Sequence, residues 1–309
     1  MAGELATVFG GSGFIGRYVV QKLAQQGFQV RVAVRRPDAA LFLKTSGAVG
    51  QVTPFASNIR DSRSVRSAVE GADVVVNLVG ILFQSGRQRF ESVQASGAGL
   101  VATEARAAGA KRLVHISAIG ADAKSGSAYA RTKAEGEAAV RQGFPSATVL
   151  RPSIVFGPED DFFNRFAGLA RISPALPLIG GGKTRFQPVY VGDVAEAVMR
   201  ALADDATAGK TYELGGLRVY SFRELLEIML REIGRRRCLV PLPFSVAMGQ
   251  AAVLQLLPRP LLTVDQVRLL EHDNVVSGSA LTLKDLGISA TSLELVLPTY
   301  LGRYRPRGH

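Results

Sequence analysis

Few residues of this 309-residue chain are spaced to do chemistry together. Tyr129 and Lys133 stand four apart in "YARTK", which puts both on one face of a helix. An ammonium beside a phenol lowers the phenol's pKa, so the pair predicts an acid/base tyrosine tuned by its lysine. Ser117 closes an apolar run twelve residues upstream and is placed to orient a carbonyl oxygen. Near the amino end, "TVFGGSGFIG" (7–16) sets Gly10, Gly13 and Gly16 at GxxGxxG spacing between a strand and a helix. Such a turn lets backbone approach a pyrophosphate, and the helix start offers unpaired N–H groups and the positive end of a dipole. The usual dinucleotide fingerprint is GxGxxG, so the spacing differs while the physics carries over. The next apolar run ends in Arg35-Arg36-Pro37, with no carboxylate before Asp38. A free ribose 2′-hydroxyl normally meets an acidic residue here, whereas two guanidiniums suit a 2′-phosphate. The expected cofactor is therefore NADPH (NADP+) rather than NAD(H).

Residues so far apart in sequence need a sheet to bring them together. Apolar runs at 5–9, 29–34, 51–55, 73–79, 112–117 and 147–151 read as strands, alternating with helical patterns at about 14–26, 62–70, 88–108 and 128–142. That alternation predicts right-handed crossovers and a parallel sheet covered on both faces. The expected fold is α/β, a doubly wound, Rossmann-like parallel sheet with a smaller, mainly helical C-terminal lobe. Residues 1–155 form the dinucleotide-binding domain, with its sheet completed by residues up to about 215, and 156–309 form the lobe for partner or membrane contact. Past residue 155, Pro158, Pro174, Pro177 and Gly180–Gly182 mark loops, and helices are expected at 193–204, 221–234, 244–257 and 263–272. A ligand crevice would lie between the two parts.

Bulk composition bounds the partners. Hydrophobic content of 47% with 20% charge allows a sizeable core. Thirty-seven Lys and Arg against 26 Asp and Glu give a net charge of +11, which suits an acidic partner or an anionic membrane surface. Nucleic acid fits less well, because the basic residues are dispersed apart from Arg235-Arg236-Arg237 and no aromatic-interleaved basic patch occurs. Cys238 is the lone cysteine, expected to be a buried, inert thiol. His115 lies in a buried-strand pattern, His309 is terminal, and His272 beside Glu271 and Asp273 lacks metal-site spacing, so no metal is expected. "MAGELATVF" carries no targeting pattern, which reads as the start of an intracellular, bacterial chain. The apolar helix over 244–257 is too short to span a bilayer; core, a partner-docking face and an anionic-lipid contact all fit it.

The glycine loop, Ser117, Tyr129-xxx-Lys133 and "RPSIVFGP" (151–158) resemble the short-chain dehydrogenase/reductase superfamily, in its extended or atypical branch. The resemblance implies that Tyr129 is the acid/base, Lys133 binds the nicotinamide ribose and Ser117 assists. It further implies nucleotide contacts along Gly10, Gly11, Ser12, Gly13, Phe14, Ile15 and Gly16, at Arg35 and Arg36, and at Asn58, Val79, Gly80, Pro152 and Ile154. Asp193, in "FQPVYVGDVAEAV", is expected to cap a helix. "FPSATVLRPSIVFGPEDDFFNRFA" and "LLTVDQVRLLEHDNVVSGSALTLKDLGI" resemble the NADPH-binding accessory subunits of respiratory complex I, of which "DQVRLLEHDNVV" (265–276) is the most distinguishing part. That resemblance implies a structural, non-catalytic NADPH, other complex I subunits as partners, and a peripheral place on the cytoplasmic side of a bacterial inner membrane. The same residues fit an active NADP-dependent reductase or epimerase/dehydratase, and a nucleotide-binding redox sensor.

Overall fold

The computed structural model describes residues 3–257 and 260–306; Met1 at the head of the targeting reading, Pro258 and His309 lie outside the described residues. Runs rich in valine and other β-formers make the strands of the first half, and amphipathic segments between them make the helices. In chain order these are β1 (Leu5–Phe9), α1 (Phe14–Gln25), β2 (Gln29–Val34), β3 (Val52–Ala56), α2 (Ser62–Val69), β4 (Val74–Asn77), α3 (Ser96–Ala107), β5 (Arg112–Ile116), α4 (Ala128–Gly143) and β6 (Thr148–Pro152). The second half adds β7 (Val155–Phe156), α5 (Phe162–Ile172), β8 (Ala175–Ile179), β9 (Arg185–Phe186), β10 (Val189–Tyr190), α6 (Val191–Ala203), β11 (Thr211–Leu214) and β12 (Tyr220–Ser221). It ends with α7 (Phe222–Glu232), β13 (Cys238–Leu242), α8 (Phe244–Leu254), α9 (Val264–Leu269) and α10 (Leu293–Leu301).

Seven strands form one sheet in the order β11-β6-β5-β4-β1-β2-β3. Every pairing in it is parallel. From β1 the chain winds outward through β2 and β3, then returns to the other side of β1 at β4. The strand order therefore reverses between β1 and β4, where α/β sheets place ligands beyond the carboxyl ends of their strands. One face of the sheet buries Val8, Val32, Val76 and Val114 against α1 and α6. The other buries Phe9, Val75 and Leu113 against α2, α3 and α4. A third core, rich in aromatics (Phe156, Phe163, Phe186, Phe222), holds the C-terminal part together.

The doubly wound sheet matches the sequence reading, and several elements depart from it. The single helix expected over 88–108 is a π-helical turn (Glu91–Ala95) followed by α3. A β-carbon on Gly136 of α4 would sit 2.1 Å from the Gln94 carbonyl oxygen, so the widened turn and the glycine together let the two helices meet. The C-terminal lobe holds more strand than expected: β8 and β13 pair with each other, each carrying a proline, as the margins of small sheets permit. Helices α5 and α10 have no counterpart in the sequence reading, although Phe163, Ala167 and Ala170 of α5 follow helical spacing between the flanking prolines.

Candidate nucleotide-binding site

At the end of β1 the chain turns through Gly10, whose φ of 78° suits a residue with no β-carbon. A β-carbon there would lie 3.2 Å from the Leu78 backbone, so the loops after β1 and β4 touch at the point of strand reversal. Gly16 serves close packing, because its β-carbon would stand 2.4 Å from the Gly10 carbonyl oxygen. Gly11 is likewise buried, facing Val32, Val20 and Val8. Gly13 differs: it is exposed, and a β-carbon on it would meet Gly10 O alone, at 3.2 Å. Here the absent side chain is not required by the fold, which leaves open space in front of the helix start. Helix α1 begins at Phe14 with no side-chain cap and no acidic residue in its first turn. Its first N–H groups therefore remain for an anionic ligand. Ser12, Phe14 and Ile15 are half-buried around that start.

Arg35 and Arg36 follow β2 and are exposed at the adjoining strand end. Asn58 follows β3, its N–H donating to Ser64 Oγ at 2.9 Å and its Oδ1 accepting from Arg60 N at 3.2 Å. Sequence reasoning did not pick out Arg17, which directly follows Gly16. Its Nη1 lies 3.2 Å from Glu159 and its guanidinium 5.2 Å from the Phe42 ring, while its Nε is buried with no partner among the described residues.

Across the strand reversal lie the residues expected to meet the nicotinamide. Val79 and Gly80 leave β4; Lys133 Nζ would be 3.4 Å from a β-carbon on Gly80, so these two expected contacts are neighbours. Lys133 is buried and donates to Ile116 O at 3.2 Å. Ser117 follows β5, buried, its Oγ without a partner among the described residues; Asn77 Nδ2 and both His115 ring nitrogens share that condition. Such orphaned polar atoms beside an ammonium fit the hydroxyls and amide of a nicotinamide riboside. Pro152 ends β6, buried, and Ile154 packs against the aromatic core.

Electrostatics correct one expectation. The Tyr129 phenol is not tuned downward: burial, together with the Asp265 carboxylate nearby, pushes it up to about 12. Lys133 Nζ stands 5.9 Å from the Tyr129 ring centroid, and burial lowers this ammonium to about 8 although Glu137 one turn on favours its charge. Desolvation thus pushes both partners toward their neutral forms, the phenol up and the ammonium down.

Further expectations also change. Asp193 is not the helix cap: α6 begins at Val191, and the carboxylate accepts from Thr291 N at 2.7 Å and Thr291 Oγ1 at 2.8 Å. Cys238 is exposed rather than buried, because β13 pairs with β8 and turns its alternate face outward. His272 is exposed, and among the described residues no group of three or more His, Cys, Asp or Glu stands close enough to hold a metal ion. No helix among them is long and apolar enough to cross a membrane. The helix expected over 244–257 ends at Leu254 and buries only Ala247 and Ala251, so its core contribution is one narrow stripe.

A family model described as "NAD dependent epimerase/dehydratase family" matches residues 6–215. The chain is 40% identical over its whole length to 80% of "NADH dehydrogenase [ubiquinone] 1 alpha subcomplex subunit 9, mitochondrial" of Arabidopsis thaliana. It is 34% identical, again over its whole length, to 82% of the "NADH-ubiquinone oxidoreductase 40 kDa subunit, mitochondrial" of Neurospora crassa. Its fold is similar to the UDP-glucose 4-epimerase of Thermotoga maritima, with a TM-score of 0.73, 19% identity, and coverage of 97% of this chain and 98% of that one. The chain therefore belongs to the NAD dependent epimerase/dehydratase family and, within it, to the group that includes the alpha subcomplex subunit 9 of NADH dehydrogenase.

Proposed function

We propose that this chain holds NADPH as a resident nucleotide and serves, without turnover of its own, as an accessory subunit of respiratory complex I (NADH:ubiquinone oxidoreductase). One observation carries the reading: the likeness to subunits of that enzyme runs through the C-terminal lobe as well as the nucleotide-binding part. A generic reductase would share the first and diverge in the second. In this reading residues 1–155 bind the dinucleotide and residues 156–309 meet the neighbouring subunits. The chain sits on the cytoplasmic side of a bacterial inner membrane, where the hydrophilic arm joins it, and α8 faces anionic lipid.

The residues divide the nucleotide between them. Gly10 to Gly16 and the start of α1 hold the pyrophosphate, with Val79 and Gly80 across the strand reversal. Arg35 and Arg36 take the 2′-phosphate, a preference for NADPH that rests on their charge and on the missing carboxylate, and Asn58 borders the adenine side. Lys133 binds the nicotinamide ribose, and Ser117, Tyr129, Pro152 and Ile154 enclose the nicotinamide. Bound nucleotide would bring hydride chemistry to this site.

The presence of Ser117, Tyr129 and Lys133 together favours a second reading, an active NADP-dependent reductase or epimerase/dehydratase. Tyr129→Phe separates the two, since it removes only the hydroxyl. Membranes from a strain carrying this variant should yield assembled complex with normal NADH:quinone activity, and the chain should comigrate with that activity. Steady NADPH oxidation by the purified chain with a carbonyl substrate, lost in Tyr129→Phe, would overturn the structural reading.

A further inference from the structure

Two side chains of the segment 263–276 reach the nicotinamide side of the crevice from the other half of the molecule. Asp265 lies in the first turn of α9, which Thr263 caps through a reciprocal pair of hydrogen bonds with Gln266. Its carboxylate accepts from Ala128 N at 2.7 Å, Ser127 Oγ at 2.8 Å and Tyr129 N at 3.1 Å. Those are first-turn donors of α4, the helix that carries Tyr129 and Lys133. They would otherwise be unpaired, and the negative charge also suits the helix start. Asn274 acts nine residues later. Its Nδ2 donates to Ile119 O at 3.1 Å, two residues beyond Ser117, and its Oδ1 accepts from Ser153 Oγ at 2.7 Å, between Pro152 and Ile154. Arg268 adds a donor to Gly126 O at 3.2 Å, just ahead of α4. Both ends of the long β5–α4 connection and the loop after β6 are thus joined by one segment that belongs to neither the sheet nor its covering helices.

We infer that Asp265 and Asn274 are positioning residues for the nucleotide, forming a clasp across the two nicotinamide-side loops, β5–α4 and the one after β6, whose opening limits the rate at which nucleotide leaves. The inference rests on the proposed nucleotide site and adds what governs residence in it. A hydrogen-bonded carboxylate replaced by an apolar group leaves two N–H donors of α4 without acceptors, so the helix start frays and the wall carrying Tyr129 and Lys133 loosens. Association needs only the exposed glycine loop and arginines, so the clasp bears on departure more than on arrival.

The test uses the full chain loaded with NADPH, with nucleotide fluorescence followed after a chase with excess NADP+. Asp265→Ala and Asn274→Ala should each speed release by about tenfold and change association by less than about twofold. Asp265→Glu, which keeps the acceptor charge, should restore part of the slow release. Thr291→Val is the control: it removes the hydroxyl half of a similar carboxylate clip, to Asp193, away from the nicotinamide side, and should lower the melting temperature without speeding release. Wild-type release rates in both folded clasp variants, or equal acceleration by Thr291→Val, would overturn the inference. If Asp265→Ala does not fold, hydrogen exchange on the wild-type chain decides. NADPH should slow exchange at Ala128, Tyr129 and residues 265–276; no slowing there overturns the clasp. Wild-type protein that binds no NADP(H) would instead overturn the nucleotide site itself, and would be seen before any variant is made.

Discussion

At the scale of single residues, glycines of one loop have different duties, and substitution separates them. Gly16→Ala forces a β-carbon onto the Gly10 carbonyl and should cost the fold about 1–3 kcal/mol, read as a lowered denaturation midpoint with or without nucleotide. Gly13→Val, at the N-cap of α1, should lower the stability of the nucleotide-free chain by about 1 kcal/mol and abolish nucleotide binding, because its side chain enters the space left for the pyrophosphate. Retention of nucleotide by folded Gly13→Val would remove the loop from the site. The double change Arg35→Ala, Arg36→Ala should weaken NADPH at least about tenfold and barely alter NADH, since only a 2′-phosphate offers charge to two guanidiniums. Calorimetry with both nucleotides measures this, and equal losses would contradict the NADPH assignment. His115 gives a pH signature. Burial first, and the Lys133 charge second, lower its pKa to about 3, so it stays neutral in the fold while the unfolded chain takes up a proton near the ordinary 6.5. The unfolded state then binds more protons between these values, and stability falls with falling pH by up to roughly 1.4 kcal/mol per unit. Melting of wild type and His115→Leu at pH 7 and pH 5 should show a smaller acid loss in the variant.

At the scale of elements, the contact between α4 and the π-helical turn sets where Lys133 stands. Gln94 in that turn donates from Nε2 to Thr132 Oγ1 at 3.2 Å, next to Lys133, and its carbonyl touches Gly136. Gly136→Ala must therefore push α4 outward along with Lys133. We expect a loss of about 1–3 kcal/mol in stability and a parallel loss of nucleotide affinity, where Gly168→Ala inside α5, which meets nothing within 4 Å, should raise stability by about 0.5–1 kcal/mol and leave affinity unchanged. Unchanged nucleotide affinity in folded Gly136→Ala would show that the helix contact does not position the lysine.

At the scale of the whole molecule, five of the fourteen exposed large apolar residues among the described residues fall in one stretch of chain, 246–261. Val246 and Val253 of α8 and the following Leu256, Leu257 and Leu261 are all exposed, with Leu256 82% and Val253 68% accessible. Together with a net charge of +11, this predicts binding to vesicles containing anionic lipid. Flotation with and without phosphatidylglycerol should show binding that depends on the anionic lipid and weakens at high salt. Leu256→Ser with Leu257→Ser should reduce it several-fold. Binding indifferent to both the lipid charge and these leucines would assign the face to a protein neighbour.

Much of this was legible in the sequence because its causes are local. Alternating valine-rich runs and amphipathic segments set the strands and helices of the first half, with most boundaries within a residue or two. The glycine spacing and Arg35-Arg36 fall at the ends of β1 and β2, and Tyr129-xxx-Lys133 falls on one helix, as their local patterns require. What sequence could not carry depends on neighbours far along the chain. Burial turns an expected downward shift of the Tyr129 phenol into an upward one, and Asp265, 136 residues further along the chain, adds to it. Asp193 sits where a cap belongs by pattern, yet its partner is Thr291. Cys238 faces solvent because of how β13 pairs, which its own composition does not reveal. Periodicity and turn chemistry act over a few residues and can be read in order. Burial, charge and hydrogen-bond partners belong to the surroundings, and only the folded chain creates those.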